Sequence, residues 1–159
     1  MLSELAESIV NKLSQRKLII ATAESCTGGM LAQYITSVSG SSDVFEYGVV
    51  TYANRIKEQE LDVSHESLEA YGAVSEQVCK EMAVGVLNKS DANIGASITG
   101  IAGPGGGTPE KPVGTVYIAV ATKEKTVCRR LALNGDRRKI RELTVKNILN
   151  LVKEIIDTM

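Results

Sequence analysis

The sequence predicts an α/β fold, a three-layer α/β/α sandwich on a mixed, mainly parallel five-stranded sheet. Three observations lead there. Apolar and β-branched runs of strand length occupy residues 18–23, 44–52, 92–99, 113–122 and 125–133. Segments with helical character separate the first three runs, the alternation that builds parallel crossovers. The last two runs are split only by Lys123 and Glu124, which makes them an antiparallel hairpin.

The elements follow in order. Leu2, Leu5, Ile9 and Leu13 recur at near-helical spacing, so the chain opens on a helix with one apolar face. Arg16 and Lys17 lead into the run Leu18–Ala23, which reads as a buried strand. A second helix is expected from near Thr27 through Met30, Leu31 and Tyr34 to about Thr36. Gly40-Ser-Ser-Asp43 is a turn cluster, and Val44 to Tyr52 forms the second strand. Residues 54–72 suit short helical turns, and Ser75 caps a stronger helix that ends near Asn88. Ala92–Thr99 is the third strand, followed at once by a loop rich in glycine and proline. After the hairpin, Asp136 caps a last helix whose apolar positions include Ile140, Leu143, Ile148, Val152 and Ile156.

A length of 159 residues suits one domain over the whole chain, and no linker or repeat divides it. A net charge of −1 offers no broad footprint for nucleic acid or for an anionic membrane. One Phe and no Trp leave few rings for base stacking. No apolar run approaches the roughly 18 residues of a membrane span, and the N-terminal segment reads as a folded helix rather than a signal peptide. Three separated cysteines without a CxxC pattern argue against a disulfide framework or a zinc knuckle. A cytoplasmic setting is the expectation, with no cofactor and no metal.

Four segments can carry chemistry. Ala23-Glu24-Ser25-Cys26-Thr27-Gly28-Gly29 joins a strand to a helix, and ligands of open α/β sheets gather at the carboxyl ends of strands. Ser25 can be a nucleophile beside an oxyanion hole there, with Thr27, Gly28 and Gly29 supplying backbone N–H groups. The plainer alternative is that Ser25 or Thr27 only caps the helix. The single histidine, His65, sits in a polar stretch and reads as a surface or capping residue. Lysine can replace it as the base when burial or nearby positive charge lowers its pKa.

Tyr52 at the end of the second strand and Lys57 beyond it supply such a pair, with Arg55 as a source of positive charge; the alternative is an edge tyrosine and a solvated lysine. The loop from Thr99 to Gly114 lacks the endings of a P-loop and of a dinucleotide fingerprint. Its Thr99, Gly100, Gly103, Gly105 and Gly106 can still wrap an anionic group with backbone amides. Arg137 and Arg141 share a face of the last helix and can clamp a phosphate.

AESCTGG at 23–29, GVVTYANRIK at 48–57, YGAVSE at 71–76, SITGIAGPGGGTPEKPVGTVYIA at 97–119 and GDRRKIRELTV at 135–145 resemble the signature blocks of the CinA C-terminal family. They fall in family order and cover nearly the whole chain. The resemblance is to the stand-alone nicotinamide-nucleotide amidase form. It implies hydrolysis of nicotinamide mononucleotide to nicotinate mononucleotide and ammonia, in pyridine nucleotide salvage. It also implies Ser25 as nucleophile, Tyr52 and Lys57 as its partners, and a pocket shaped by the two glycine loops. Ribose or phosphate would fall to the loop at 100–107 and to Arg137. The expected partner is thus a small nucleotide substrate, and self-association into a homo-oligomer is a further expectation. Two rival readings are a catalytically silent nucleotide-binding module linked to competence or DNA damage, and an oligomeric scaffold.

Overall fold

The computed structural model describes residues 1–159. Its strands are β1 (Ile20–Glu24), β2 (Phe45–Val50), β3 (Ile94–Gly100), β4 (Thr115–Ala121) and β5 (Thr126–Ala132). Its helices are α1 (Leu2–Arg16), α2 (Met30–Thr36), α3 (Asn54–Leu61), α4 (His65–Tyr71), α5 (Glu76–Asn88) and α6 (Arg137–Thr158), with one 3₁₀ turn at Ser41–Asp43. The single sheet has the order β2-β1-β3-β4-β5. β1 pairs in parallel with both β2 and β3, whereas β4 is antiparallel to β3 and to β5. Only β4 therefore runs against the other strands, and the predicted α/β class and mixed sheet are observed.

Alternation along the strands builds the three layers. Ile20, Ile94, Ala96, Ile98, Val116, Ile118 and Val120 join one core with the apolar faces of α1, α2 and α6. Ala21, Ala23, Tyr117, Ala119 and Ala121 face the other side, against α3, α4 and α5. The small residues on that second face bring α5 close to the sheet. A Cβ on Gly95 would lie 2.4 Å from the Ala83 carbonyl oxygen.

Where α5 meets the end of α3 the fit is tighter still: a Cβ on Gly85 would lie 2.0 Å from the Leu61 carbonyl oxygen. Alanine normally gains about 1 kcal/mol over glycine inside a helix. Here the backbone clash decides the sign. Gly85→Ala is expected to destabilise the protein by about 1–3 kcal/mol, measured by urea unfolding, because α3 must move away from α5.

The second helix begins at Met30 rather than near Thr27. Gly28 and Gly29 take φ values of 59° and 100°, left-handed backbone that interrupts a helix and that glycine adopts without strain. Ser25–Gly29 is therefore a free-standing turn between β1 and α2. The expected caps are observed at Ser75 and Asp136, whose side chains accept from the N–H groups of Val78 and Lys139.

The topology also marks the place where a ligand crevice is expected. After β1 the chain enters α2 on one face of the sheet; after β2 it enters α3–α5 on the other. Neighbouring strands whose connections leave toward opposite faces part at their carboxyl ends, the usual ligand position in open α/β sheets. Ser25 follows β1 and Thr51 follows β2 at that point.

Candidate active site

Lys57 lies on α3 and is 1% exposed, the largest fully buried side chain in the protein. Its Nζ is 3.1 Å from Ser25 Oγ and donates to the Thr51 carbonyl at 2.6 Å. β2 ends just before Thr51, and the first turn of α3 folds Lys57 back over the sheet toward β1. Burial lowers the Lys57 pKa from 10.5 to about 8, opposed by the neighbouring Cys26 thiol. The cause is desolvation, which disfavours the ammonium form. Arg55, expected to help through its charge, is instead exposed and donates to Gln59. No carboxylate pairs with Lys57, so at neutral pH a useful fraction of the amine is unprotonated.

Ser25 is itself nearly buried at 9% exposure. The turn that carries it is closed by Gly28 N–H donating to the Ser25 carbonyl and Met30 N–H donating to that of Thr27. The N–H groups of Thr27 and Gly29 donate no hydrogen bond within the protein, whereas that of Gly28, expected among the oxyanion donors, is taken by the Ser25 carbonyl. Directly after a serine, such unpaired donors can stabilise an oxyanion. Cys26 is 6% exposed, and burial pushes its thiol up to about 11. That keeps it in the thiol form at neutral pH.

The remaining predicted residues divide. Tyr52 is 62% exposed, and its hydroxyl accepts from Arg137 Nη2 at 3.1 Å rather than engaging Ser25 or Lys57. Arg137 Nη1 donates to the Gly103 carbonyl at 2.7 Å. Arg141 Nη2 donates to the Thr27 carbonyl at 2.9 Å. The two arginines therefore tie the last helix to one glycine loop each instead of standing free as a pair. The Thr27 hydroxyl is buried and donates to Glu24, and the Thr99 hydroxyl donates to the Ala73 carbonyl. Both hydroxyls are occupied by the fold.

Gly100 is a packing position, since its Cβ would meet Val116 at 2.7 Å, and Gly103 likewise faces Val113 at 2.5 Å. Gly105 borders open space, and Gly106 has only the Ile101 side chain near it, at 3.6 Å. Those two leave room for a ligand. His65 opens α4, exposed and paired with Glu58 at 2.9 Å. As expected from its polar setting, it stands apart from Ser25.

Two features escape sequence reasoning. The Thr51 carbonyl, which holds Lys57 in place, leaves no trace in a sequence because any residue has one. Glu24 does leave a signal: a carboxylate ends an otherwise apolar strand and is 1% exposed. The largest cavity, about 810 Å³, lies at the opposite end of the sheet around Asn88, Asp91, Lys123 and Lys125. Its one hydroxyl nucleophile near a helix end, Ser90, donates to the Val86 carbonyl. No base meets it there, whereas Ser25 meets Lys57.

Comparison with known proteins identifies the family. The CinA C-terminal domain model matches residues 2–156. A protein of Thermoanaerobacter pseudethanolicus named for competence and damage induction is 51% identical over 153 residues, which are 96% of this chain and 37% of the relative. The chain thus spans little more than a third of the length of such curated relatives. Among solved structures, the competence/damage inducible protein CihA of Agrobacterium tumefaciens superposes with a TM-score of 0.94 at 41% identity, over 96% of this chain and 94% of that one. A CinA superfamily protein of Klebsiella pneumoniae gives 0.96 at 31% identity, over 100% and 99%. Sequence, fold and family match thus agree over nearly the whole chain, which belongs to the CinA C-terminal domain family.

Proposed function

We propose that this chain is a Ser/Lys amidohydrolase that converts nicotinamide mononucleotide to nicotinate mononucleotide and ammonia. The observation that carries the reading is the buried Lys57 amine, 3.1 Å from Ser25 Oγ, with its pKa lowered to about 8. A lysine held only for structure has no need to meet a serine hydroxyl in a dry crevice. The nucleotide and its carboxamide come from the family resemblance; Arg137, between Tyr52 and the Gly103 loop, suits a phosphate.

In this reading neutral Lys57 takes the Ser25 proton as Oγ attacks the carboxamide carbon. The unpaired N–H groups of Thr27 and Gly29 are the donors available to the oxygen as it gains charge. Protonated Lys57 returns its proton to the nitrogen of the tetrahedral intermediate, and ammonia leaves as the C–N bond breaks. Water then attacks the acyl-enzyme, with Lys57 accepting its proton; the ester C–O bond breaks as Lys57 returns that proton to Ser25 Oγ, releasing nicotinate mononucleotide. The Thr51 carbonyl keeps the amine aimed throughout. Tyr52 and Arg137, joined at the mouth, belong to the substrate side, with Gly105 and Gly106 beside them.

The test is ammonia release from nicotinamide mononucleotide by purified protein and by Ser25→Ala. Turnover by the wild type and a loss of at least about 10³-fold in kcat/KM for the variant are expected. Saturable binding of the mononucleotide without ammonia release would favour the silent binding module, a reading consistent with the competence and damage names of the relatives.

A further inference from the structure

Glu24 is a buried carboxylate that the mechanism above does not use. It closes β1, with its side chain on the α2 side of the sheet. Oε1 accepts from the Thr27 hydroxyl at 2.6 Å and from Leu31 N–H at 2.9 Å; Oε2 accepts from Ala32 N–H at 3.1 Å. No lysine or arginine pairs with it. Burying a charge without a counter-ion is expensive, and three donors are what make it tolerable. A neutral Ser or Asn would cap a short helix at lower cost. The carboxylate does something a neutral cap does not: it holds the start of α2 and the Thr27 side chain at once.

Thr27 is held from the other side as well. Its carbonyl accepts from Arg141 Nη2 at 2.9 Å, a contact spanning 114 positions of sequence. A Cβ added to Gly28 would lie 3.4 Å from the same Nη2, so the guanidinium lies against the turn. Arg141 Nε is buried there without a partner, a cost that a tie made for stability alone does not require. Between these two grips run Ser25, Cys26 and Thr27, closed by the bond from Gly28 N–H to the Ser25 carbonyl. Neither Glu24 nor Arg141 hydrogen-bonds the Ser25 hydroxyl.

We propose that Glu24 and Arg141 are positioning residues that clamp the nucleophile turn through the two oxygens of Thr27. The clamp fixes the Ser25 Oγ–Lys57 Nζ distance and keeps the N–H groups of Thr27 and Gly29 free for the oxyanion. It rests on the reading of Ser25 as nucleophile. It also makes Arg141 part of the turn rather than half of a phosphate clamp.

A fluorophosphonate probe tests it on Ser25 directly. The Ser25 oxygen forms the bond to phosphorus, fluoride leaves, and Lys57 takes the serine proton. Labelling rate, kcat, KM and thermal midpoint are measured for Glu24→Gln, Thr27→Val, Thr27→Ser and Arg141→Lys, all well below the midpoints. Thr27→Val, which keeps the shape and removes the hydroxyl, is expected to lower labelling rate and kcat together by at least about tenfold, with KM within about threefold. Thr27→Ser recovers most of that loss. Arg141→Lys follows Thr27→Val; Glu24→Gln, whose amide oxygen can still accept from Thr27 and Leu31, loses less, and should it fail to fold, the other two variants carry the test. Wild-type labelling and kcat in Thr27→Val and Arg141→Lys, whatever their midpoints, would reduce the network to a helix cap and overturn the clamp. Absence of labelling in the wild type, or equal labelling of Ser25→Ala, would instead sink the nucleophile reading and the clamp with it.

Discussion

Replacing Lys57 by methionine is expected to lower kcat/KM for ammonia release by at least about 10³-fold while the protein stays folded. Methionine has a similar length and prefers a buried site, so the core around α3 and α5 keeps its filling. The stability of the variant gives an independent check. The folded-state pKa of Lys57 is lowered from 10.5 to about 8, so between those values the unfolded chain binds more protons than the folded one. Stability from this group therefore rises with pH across that window and is lost as pH falls through about 8. The span of the shift corresponds to on the order of 3 kcal/mol. Against this, Lys57→Met leaves the Thr51 carbonyl without its 2.6 Å partner, beside a Thr51 hydroxyl already buried and unpaired. That loss costs about 1–3 kcal/mol. The two effects partly cancel at pH 7, so the discriminating observable is the slope. Urea unfolding from pH 7 to 10.5 should show the wild type gaining stability relative to Lys57→Met; parallel curves would mean that Lys57 is not buried in solution.

The same lowered pKa sets the pH dependence of the reaction. With Lys57 as base, kcat/KM should rise tenfold per pH unit below about 8 and level off above it, a difference of roughly 100-fold between pH 6 and pH 9. The Cys26 thiol at about 11 does not titrate in that range. Initial rates of ammonia release across pH 6–9.5 measure the profile. A profile that falls through pH 8 would point to the protonated lysine as the working form, in electrostatic support of the oxyanion; a flat one would contradict Lys57 as the base.

Much of the fold was legible because its elements are locally marked. Ser75 and Asp136 announce their helices through capping bonds that depend on nearby residues alone. The strands show as apolar runs because β1, β3 and β4 are buried on both faces. The start of α2 was not legible in the same way. Helical spacing extends back to Thr27, and only the left-handed turn at Gly28 and Gly29, together with the Glu24 carboxylate across the strand end, moves the boundary to Met30.

In the site, residue types at the ends of two strands allowed Ser25 to pair with Lys57 but equally a helix cap and a solvated lysine, and the family blocks favoured the pair. The cause of the lowered lysine pKa was not legible there. Arg55 is close in sequence but lies on the exposed side of α3, whereas burial is a tertiary property. Arg137 and Arg141 were visible as one helical face, yet their partners Tyr52, Gly103 and Thr27 are far off in the chain. A shared face says which side chains are neighbours and nothing about what they meet. Thr27 and Thr99 show the converse, polar residues in a glycine motif whose hydroxyls face inward to fold-forming partners.

The central claim is that Ser25 becomes acylated with help from Lys57. The most direct measurement is the intact mass of the protein mixed rapidly with nicotinamide mononucleotide and quenched in acid, followed by peptide mapping. A covalent adduct of the mass of the nicotinate mononucleotide acyl group, on Ser25, absent from Ser25→Ala and formed far more slowly in Lys57→Met, is the predicted result. Ammonia released at the wild-type rate by Ser25→Ala, with no adduct in either protein, would contradict it.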